Sequence, residues 1–147
     1  MQEPSIVRFY EDDHDRLDSL FQQYRGMKKS ATVQATENFR EFRDGLLRHI
    51  RWEEEILFPL FEEKTGMYDR GPTVVMRSEH AIIKKHLEEI AEKVFQQNFA
   101  TDEDEQLLLN TLVLHNQKEE QFLYPAIDQS LSQPDRHGVF HRMEKIK

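Results

Sequence analysis

The sequence predicts an all-α protein, an up-down-up-down four-helix bundle with a short C-terminal helical tail. Three observations predict it. Glycine and proline number only five each in 147 residues and β-branched alternation is scarce, so breaks are few and strand patterns weak. Apolar residues recur at spacings of three and four along four long segments. One histidine falls on the apolar stripe of each segment, and the steps from His14 to His49, His80 and His115 are 35, 31 and 35 residues. Each step is the length of one helix, a tight connection and a return to the same level, as in an antiparallel bundle.

The first helix is expected over residues 12–28, with His14, Leu17, Phe21 and Tyr24 on one face. A break around 26–32 precedes the second, over 33–63, whose inner stripe reads Phe39, Phe42, Leu46, His49, Glu53, Ile56 and Leu60. Lys64-Thr65-Gly66 ends it, and Gly71-Pro72 opens the third, because proline suits the first helical position. That helix runs to about residue 97 with Met76, His80, Ile83, Leu87, Ile90 and Val94 inward. Thr101 and Asp104 have the spacing of a capping box for the fourth helix, with Asp in place of the usual Glu. Its stripe is Leu108, Leu112, His115, Glu119, Phe122 and Ala126, ending near residue 130, and Pro134 starts the tail.

One domain is expected over 1–147, with a bundle core at about 8–130 and the tail at 131–147. No cysteine is present, which excludes disulfide scaffolds, thiolate metal sites and cysteine nucleophiles. The net charge of −8, from 28 acidic against 20 basic residues, disfavours nucleic-acid binding, which needs clustered cations. No apolar run approaches the roughly 20 residues that span a bilayer, and the N-terminus lacks a basic-then-apolar leader. A soluble cytoplasmic protein without a membrane partner is the expectation.

An internal repeat sharpens the prediction. The segment from His49 to Pro59 and that from His115 to Pro125 share the pattern H-x3-E-E-x2-L-[FY]-P, with copies 66 residues apart. His14 and His80 keep the same offset, as do Asp13 and Glu79 immediately before them. The chain therefore reads as two helical hairpins related by an approximate twofold axis.

The polar residues in phase with leucine need a chemical reason. His49/Glu53 and His115/Glu119 are i,i+4 pairs on one helical face, and His14 and His80 arrive from the other two helices. Four imidazoles and two carboxylates are costly to bury without partners, and metal coordination satisfies all of them at once. Nitrogen and oxygen donors without sulfur suit iron, manganese or zinc, and helical bundles hold metal pairs in this way. Two bridging glutamates, four histidines and a bridging oxo or hydroxo group would leave two of about twelve positions open on two six-coordinate ions. The candidate ligands are His14, His49, Glu53, His80, His115 and Glu119.

Other residues are read more plainly. Glu54 and Glu120 turn about 100 degrees from their neighbours, which suits pairing with other helices rather than ligation. Tyr24 and Trp52 read as packing residues, and Pro59 and Pro125 as places where the helix ends or kinks. The Leu-aromatic pairs before the prolines read as architectural cover for the cavity. His86 lies off the His80 face, and His137 and His141 in the tail lack an acidic partner in register.

The doubled motif together with the isolated His14 and His80 resembles the hemerythrin-like, or HHE cation-binding, family over roughly residues 8–130. That resemblance implies a non-haem di-iron centre with two iron ions, oxo- or hydroxo-bridged, held by the six candidates with both glutamates bridging. It also implies departures from the invertebrate oxygen carrier. The additional histidine of its third helix is missing, with Met76 and Lys84 standing nearest to its place, and Glu120 stands where the carrier has Asp. More exchangeable positions result, which favours reactions with oxygen, peroxide or nitric oxide over stable oxygen storage. The leading expectation is a protein that binds or senses a small diatomic ligand. The alternatives are a di-iron redox enzyme of peroxidase-like or nitric-oxide-detoxifying type, and a metal-dependent interaction or iron-storage module.

Overall fold

Ser5 opens the first helix by accepting a hydrogen bond from the Arg8 amide, so α1 spans Ile6–Met27 in the computed structural model, which describes residues 3–147. This start lies six residues ahead of the expected 12. The reason is tertiary: the Asp128 carboxylate, from the other end of the chain, accepts the Ile6 amide at 2.9 Å and the Val7 amide at 3.0 Å. Two donors that a helix start leaves without partners are thereby satisfied. Replacing Asp128 by alanine is expected to cost about 1–2 kcal/mol, the range of a lost helix cap. Urea unfolding measures it, and an unchanged midpoint would contradict the assignment.

The second rod comprises α2 (Thr32–Trp52), a π-turn at Glu53–Leu57 and α3 (Phe58–Thr65). Gly66 stops it in the left-handed region at φ 75°, donating its amide to the Glu62 carbonyl at 2.7 Å. After Gly71 at φ 94°, α4 runs over Pro72–Phe95. The last rod repeats the second: α5 (Asp102–Lys118), a π-turn at Glu119–Leu123 and α6 (Tyr124–Ser130). The tail is a helix in its own right, α7 (Gln133–Met143), opened by a reciprocal capping box between Ser132 and Asp135.

The two prolines do not end their helices. A π-turn precedes each, with the Phe58 amide bonded to the Glu53 carbonyl and the Tyr124 amide to the Glu119 carbonyl, five residues back. Proline at the next position has no amide to donate and crowds the preceding turn, and the wider turn accommodates both. This insertion moves the inward phase. Phe122, expected inside, is 69% exposed, whereas Leu123, Tyr124 and Ile127 are buried. A constant step of 3.6 residues cannot anticipate that slip.

Thr101 also departs from expectation. Its hydroxyl makes no cap to α5 and instead donates to Glu105 at 2.6 Å while meeting the Tyr24 hydroxyl at 2.6 Å. Asp104, the other half of the expected box, accepts from Lys93 at 2.7 Å. Buried Lys28, at the C-terminal end of α1, reaches both Asp102 and Glu105, and Arg25 adds a bond to Glu105 at 2.9 Å. This polar knot ties the end of α1 to the start of α5.

The helices form a bundle in which α1 lies along α2, α4 lies along α5, and α2 meets α4. Its interior holds two apolar clusters. One, including Leu17, Phe21, Phe42, Ile83 and Leu87, fills the half that contains the polar knot. The other joins Tyr10, Trp52, Ile56, Met76 and Tyr124 to Val139 and Met143 of α7. The tail is held there by the Tyr10 hydroxyl on the Met143 sulfur at 3.3 Å and the Trp52 indole N–H on the Met143 carbonyl at 3.2 Å. Among the described residues, no helix is long and apolar enough to cross a membrane.

Candidate metal centre

Between the two apolar clusters lies a polar layer made of the six residues singled out in the sequence. His14 comes from α1, His49 from α2, His80 from α4 and His115 from α5, while Glu53 and Glu119 begin the two π-turns. Both carboxylates are fully buried and the four imidazoles nearly so, none more than 6% exposed. The rings form two pairs, His14 with His49 at 4.7 Å between centroids and His80 with His115 at 4.8 Å.

The glutamates lie between these pairs. Glu53 presents Oε2 to His49 Nε2 at 3.7 Å and Oε1 to His80 Nε2 at 3.1 Å. Glu119 Oε1 is 3.3 Å from His14 Nε2 and 3.2 Å from His115 Nε2. Two groups of donor atoms result, Glu53/His80/His115/Glu119 and His14/His49/Glu119, sharing Glu119. Clustered nitrogen and oxygen donors in two overlapping sets are consistent with a two-metal site.

Each imidazole is oriented from behind by a carboxylate. Nδ1–H of His49 donates to Asp13 at 2.8 Å and that of His115 to Glu79 at 2.9 Å. Nδ1–H of His80 donates to Glu54 and that of His14 to Glu120, both at 2.7 Å. The internal repeat thus extends to the hydrogen bonds, since both kinds of pair recur at an offset of 66 residues. Fixing Nδ1 as the donor leaves every Nε2 facing the centre, the tautomer that metal ligation needs. Glu54 and Glu120 pair between helices as their helical phase suggested. Asp13 and Glu79 fill the same role, and the repeat that flagged them gave no hint of it.

Tyr124 is the residue that the helical pattern missed. The π-turn carries its ring inward, and its hydroxyl stands in the layer, 2.6 Å from Glu53 Oε2 and 2.9 Å from Glu119 Oε1. His49 Nε2 and His14 Nε2 lie 3.2 and 3.3 Å from the same oxygen. The available signal was the [FY] position of the repeat, where Tyr124 adds a buried hydroxyl that Phe58 lacks. Phe58 instead stacks on His80, 5.8 Å away at 8°.

Electrostatics follow from this packing of acids and imidazoles. Burial opposes charge on His14, but its hydrogen bonds to Glu119 and Glu120 raise its pKa to about 10. Burial likewise opposes charge on His80, and its bonds to Glu53 and Glu54 raise it to about 9. Glu53, despite burial, is held well below the usual carboxylate range by the His49 charge and its hydrogen-bonded neighbours. Burial and the Glu119 and Glu53 charges push the Tyr124 phenol well up, so in metal-free protein it is neutral.

A histidine raised on folding stabilises fully below its unfolded pKa of about 6.5, and that contribution is lost as pH rises through the folded value. Metal-free protein is therefore expected to lose thermal stability between neutral pH and pH of about 10 as His80 and then His14 deprotonate. Melting curves of chelator-treated protein across that range check it. A melting temperature rising over the same interval would contradict it.

The remaining candidates lie elsewhere. Tyr24 is buried in the polar knot, and Trp52 packs against α7. His86 sits apart from the layer beside Glu89 at 3.8 Å, and His137 pairs with Glu3 at 2.6 Å while stacking on His141. Met76 is buried in the apolar cluster and Lys84 points to Glu54 at 3.6 Å, so neither adds a donor to the layer.

The donor set also fits a metal by what it leaves unpaired. Glu119 Oε2 is buried without a hydrogen-bond partner, and Glu53 Oε1 and His80 Nε2 face only each other, 3.1 Å apart. A buried carboxylate oxygen left alone is costly as it stands, and a cation would satisfy it.

Comparison with known proteins agrees with this geometry. The hemerythrin HHE cation-binding domain matches residues 5–112. An uncharacterized hemerythrin-like protein of Schizosaccharomyces pombe is 29% identical over 136 residues, which cover 92% of this chain. The matched stretch is 65% of that protein's length. No solved structure matches significantly. The family match ends before His115 and Glu119, and the bundle returns those residues to the layer that His14, His49, Glu53 and His80 begin. By its sequence match over most of its length, and with a fold and buried His/Glu layer that agree, the chain belongs to the hemerythrin HHE cation-binding family.

Proposed function

We propose that this chain is a non-haem di-iron protein that binds or senses a diatomic ligand, oxygen or nitric oxide. His14 and His49 would hold one ion and His80 and His115 the other, with Glu53 and Glu119 between them supplying carboxylate to both. The observation that carries this reading is the pair of overlapping donor groups sharing Glu119, with a buried oxygen of Glu119 left unpaired. Bound iron would supply one-electron chemistry and an open coordination position.

The chain's own residues supply the rest. Asp13, Glu54, Glu79 and Glu120 hold the imidazoles in place. Apolar clusters above and below the layer limit the access of water. A cavity of about 260 Å³ reaches His14 and Glu120 between Leu17, Phe21, Leu46 and Leu112, with Asp15, Asp18 and Asn116 also in its lining.

The test is loading with ferrous iron under anaerobic conditions, followed by metal analysis and then gas addition. About two irons per chain are expected, sharply reduced in His49→Ala. Reversible optical changes with oxygen or nitric oxide support binding or sensing. Irreversible ferric formation with sustained peroxide or nitric oxide turnover would replace this reading by a redox enzyme, and absence of iron would overturn both.

A further inference from the structure

We propose that Tyr124 is itself a metal ligand: its phenolate oxygen completes the coordination of the ion held by His14 and His49. The open position then lies on the ion held by His80 and His115. This inference rests on the di-metal reading and adds an asymmetry to it.

The argument is geometric. In an octahedron with bonds of about 2.1 Å, each ligand atom has four neighbours about 3 Å away. The Tyr124 hydroxyl oxygen has four donor atoms around it, from Glu53, Glu119, His49 and His14, at 2.6, 2.9, 3.2 and 3.3 Å. These are the spacings of one vertex of a shared octahedron. Hydrogen bonding alone fits less well, because a phenol has a single proton to divide between two carboxylates.

The position is rigidly delivered. Tyr124 is fully buried, its amide is fixed to the Glu119 carbonyl by the π-turn, and its ring packs on Tyr10 at 5.1 Å and His14 at 5.7 Å. Ligation breaks the phenol O–H bond as the metal–oxygen bond forms. The proton leaves to solvent and no electron moves. A cation supplies the positive charge that the two glutamates deny the phenolate in metal-free protein.

The other half of the repeat cannot do the same. Phe58 occupies the equivalent place, stacked on His80 with the Arg77 guanidinium 5.5 Å from its ring centroid. One hydroxyl therefore separates two otherwise matched ion positions.

The chain has four tyrosines, which makes the test discriminating. Tyr24 is engaged with Thr101, Tyr68 is 62% exposed, and Tyr10 donates to Met143, leaving Tyr124 as the one whose oxygen faces the donors. Protein loaded anaerobically with ferrous iron and oxidised with ferricyanide is examined by visible absorption and resonance Raman. A phenolate-to-ferric charge-transfer band is expected, with ring modes that shift on incorporation of ring-deuterated tyrosine. Tyr124→Phe should retain two irons per chain and lose the band completely, while Tyr10→Phe keeps it. If Tyr124→Phe fails to fold, the labelled protein and Tyr10→Phe still decide. Two bound irons with no such band, or a band that survives Tyr124→Phe or vanishes in Tyr10→Phe, overturns the proposal and leaves the di-metal reading standing. Absence of bound iron overturns both.

Discussion

Glu119→Gln is expected to lower metal retention from about two ions per chain to less than one. Glu119 is the residue common to both donor groups and is fully buried, so neither ion position is complete without its charge. Glutamine preserves the shape and one oxygen but removes the anion that offsets two adjacent cations. The thermal consequence should be as large. A ligand present at about 1,000 times its Kd stabilises the folded state by about 4 kcal/mol, on the order of 10 °C for a chain of this size. Metal analysis after gel filtration, with melts of loaded and stripped protein, measures both effects. The stripped variant should remain as helical as stripped wild type. Retention of two ions by Glu119→Gln would remove the bridging role.

A second large effect is expected far from the metal layer. Glu105→Ala should destabilise the protein by about 3–5 kcal/mol, the cost of leaving a buried charge without its partner. Lys28 is only 4% exposed and Glu105 1%, and Glu105 also accepts from Arg25 and Thr101. Asp102 is exposed and offers Lys28 a poorer substitute. Guanidinium unfolding of metal-free protein gives the magnitude. Metal stoichiometry should be unchanged, because the knot ties α1 to α5 at the other side of the Leu17/Phe21 cluster. A change below about 1 kcal/mol would mean that the pair behaves as an exposed ion pair.

Much of this was legible from spacing. Histidines on the apolar stripes, i,i+4 glutamates and an offset of 66 residues placed six side chains at one level, because a helix repeats its faces regularly. The start of α1 was only half legible: Ser5 is a local cap, but the Asp128 carboxylate that takes the Ile6 and Val7 amides comes from more than 120 residues away. The capping box read at Thr101 failed because its hydroxyl is claimed by Tyr24 from across the fold and by Glu105 one turn on. Phe122, expected inward, faces out because a π-turn shifts the helical phase just before proline, and the Leu123-Tyr124 pair, read as cover for the cavity, is buried in its place.

The sequence by itself determined the bundle, the approximate twofold repeat and which imidazoles and carboxylates share a layer. These are properties of periodicity, and periodicity is local. Only the tertiary structure decided which carboxylate stands behind which histidine, which buried atoms lack partners, and that Tyr124 enters the centre while Phe58 stacks beside it. Those depend on distances of about 3 Å between residues far apart in the chain, where a single inserted turn changes which atom arrives.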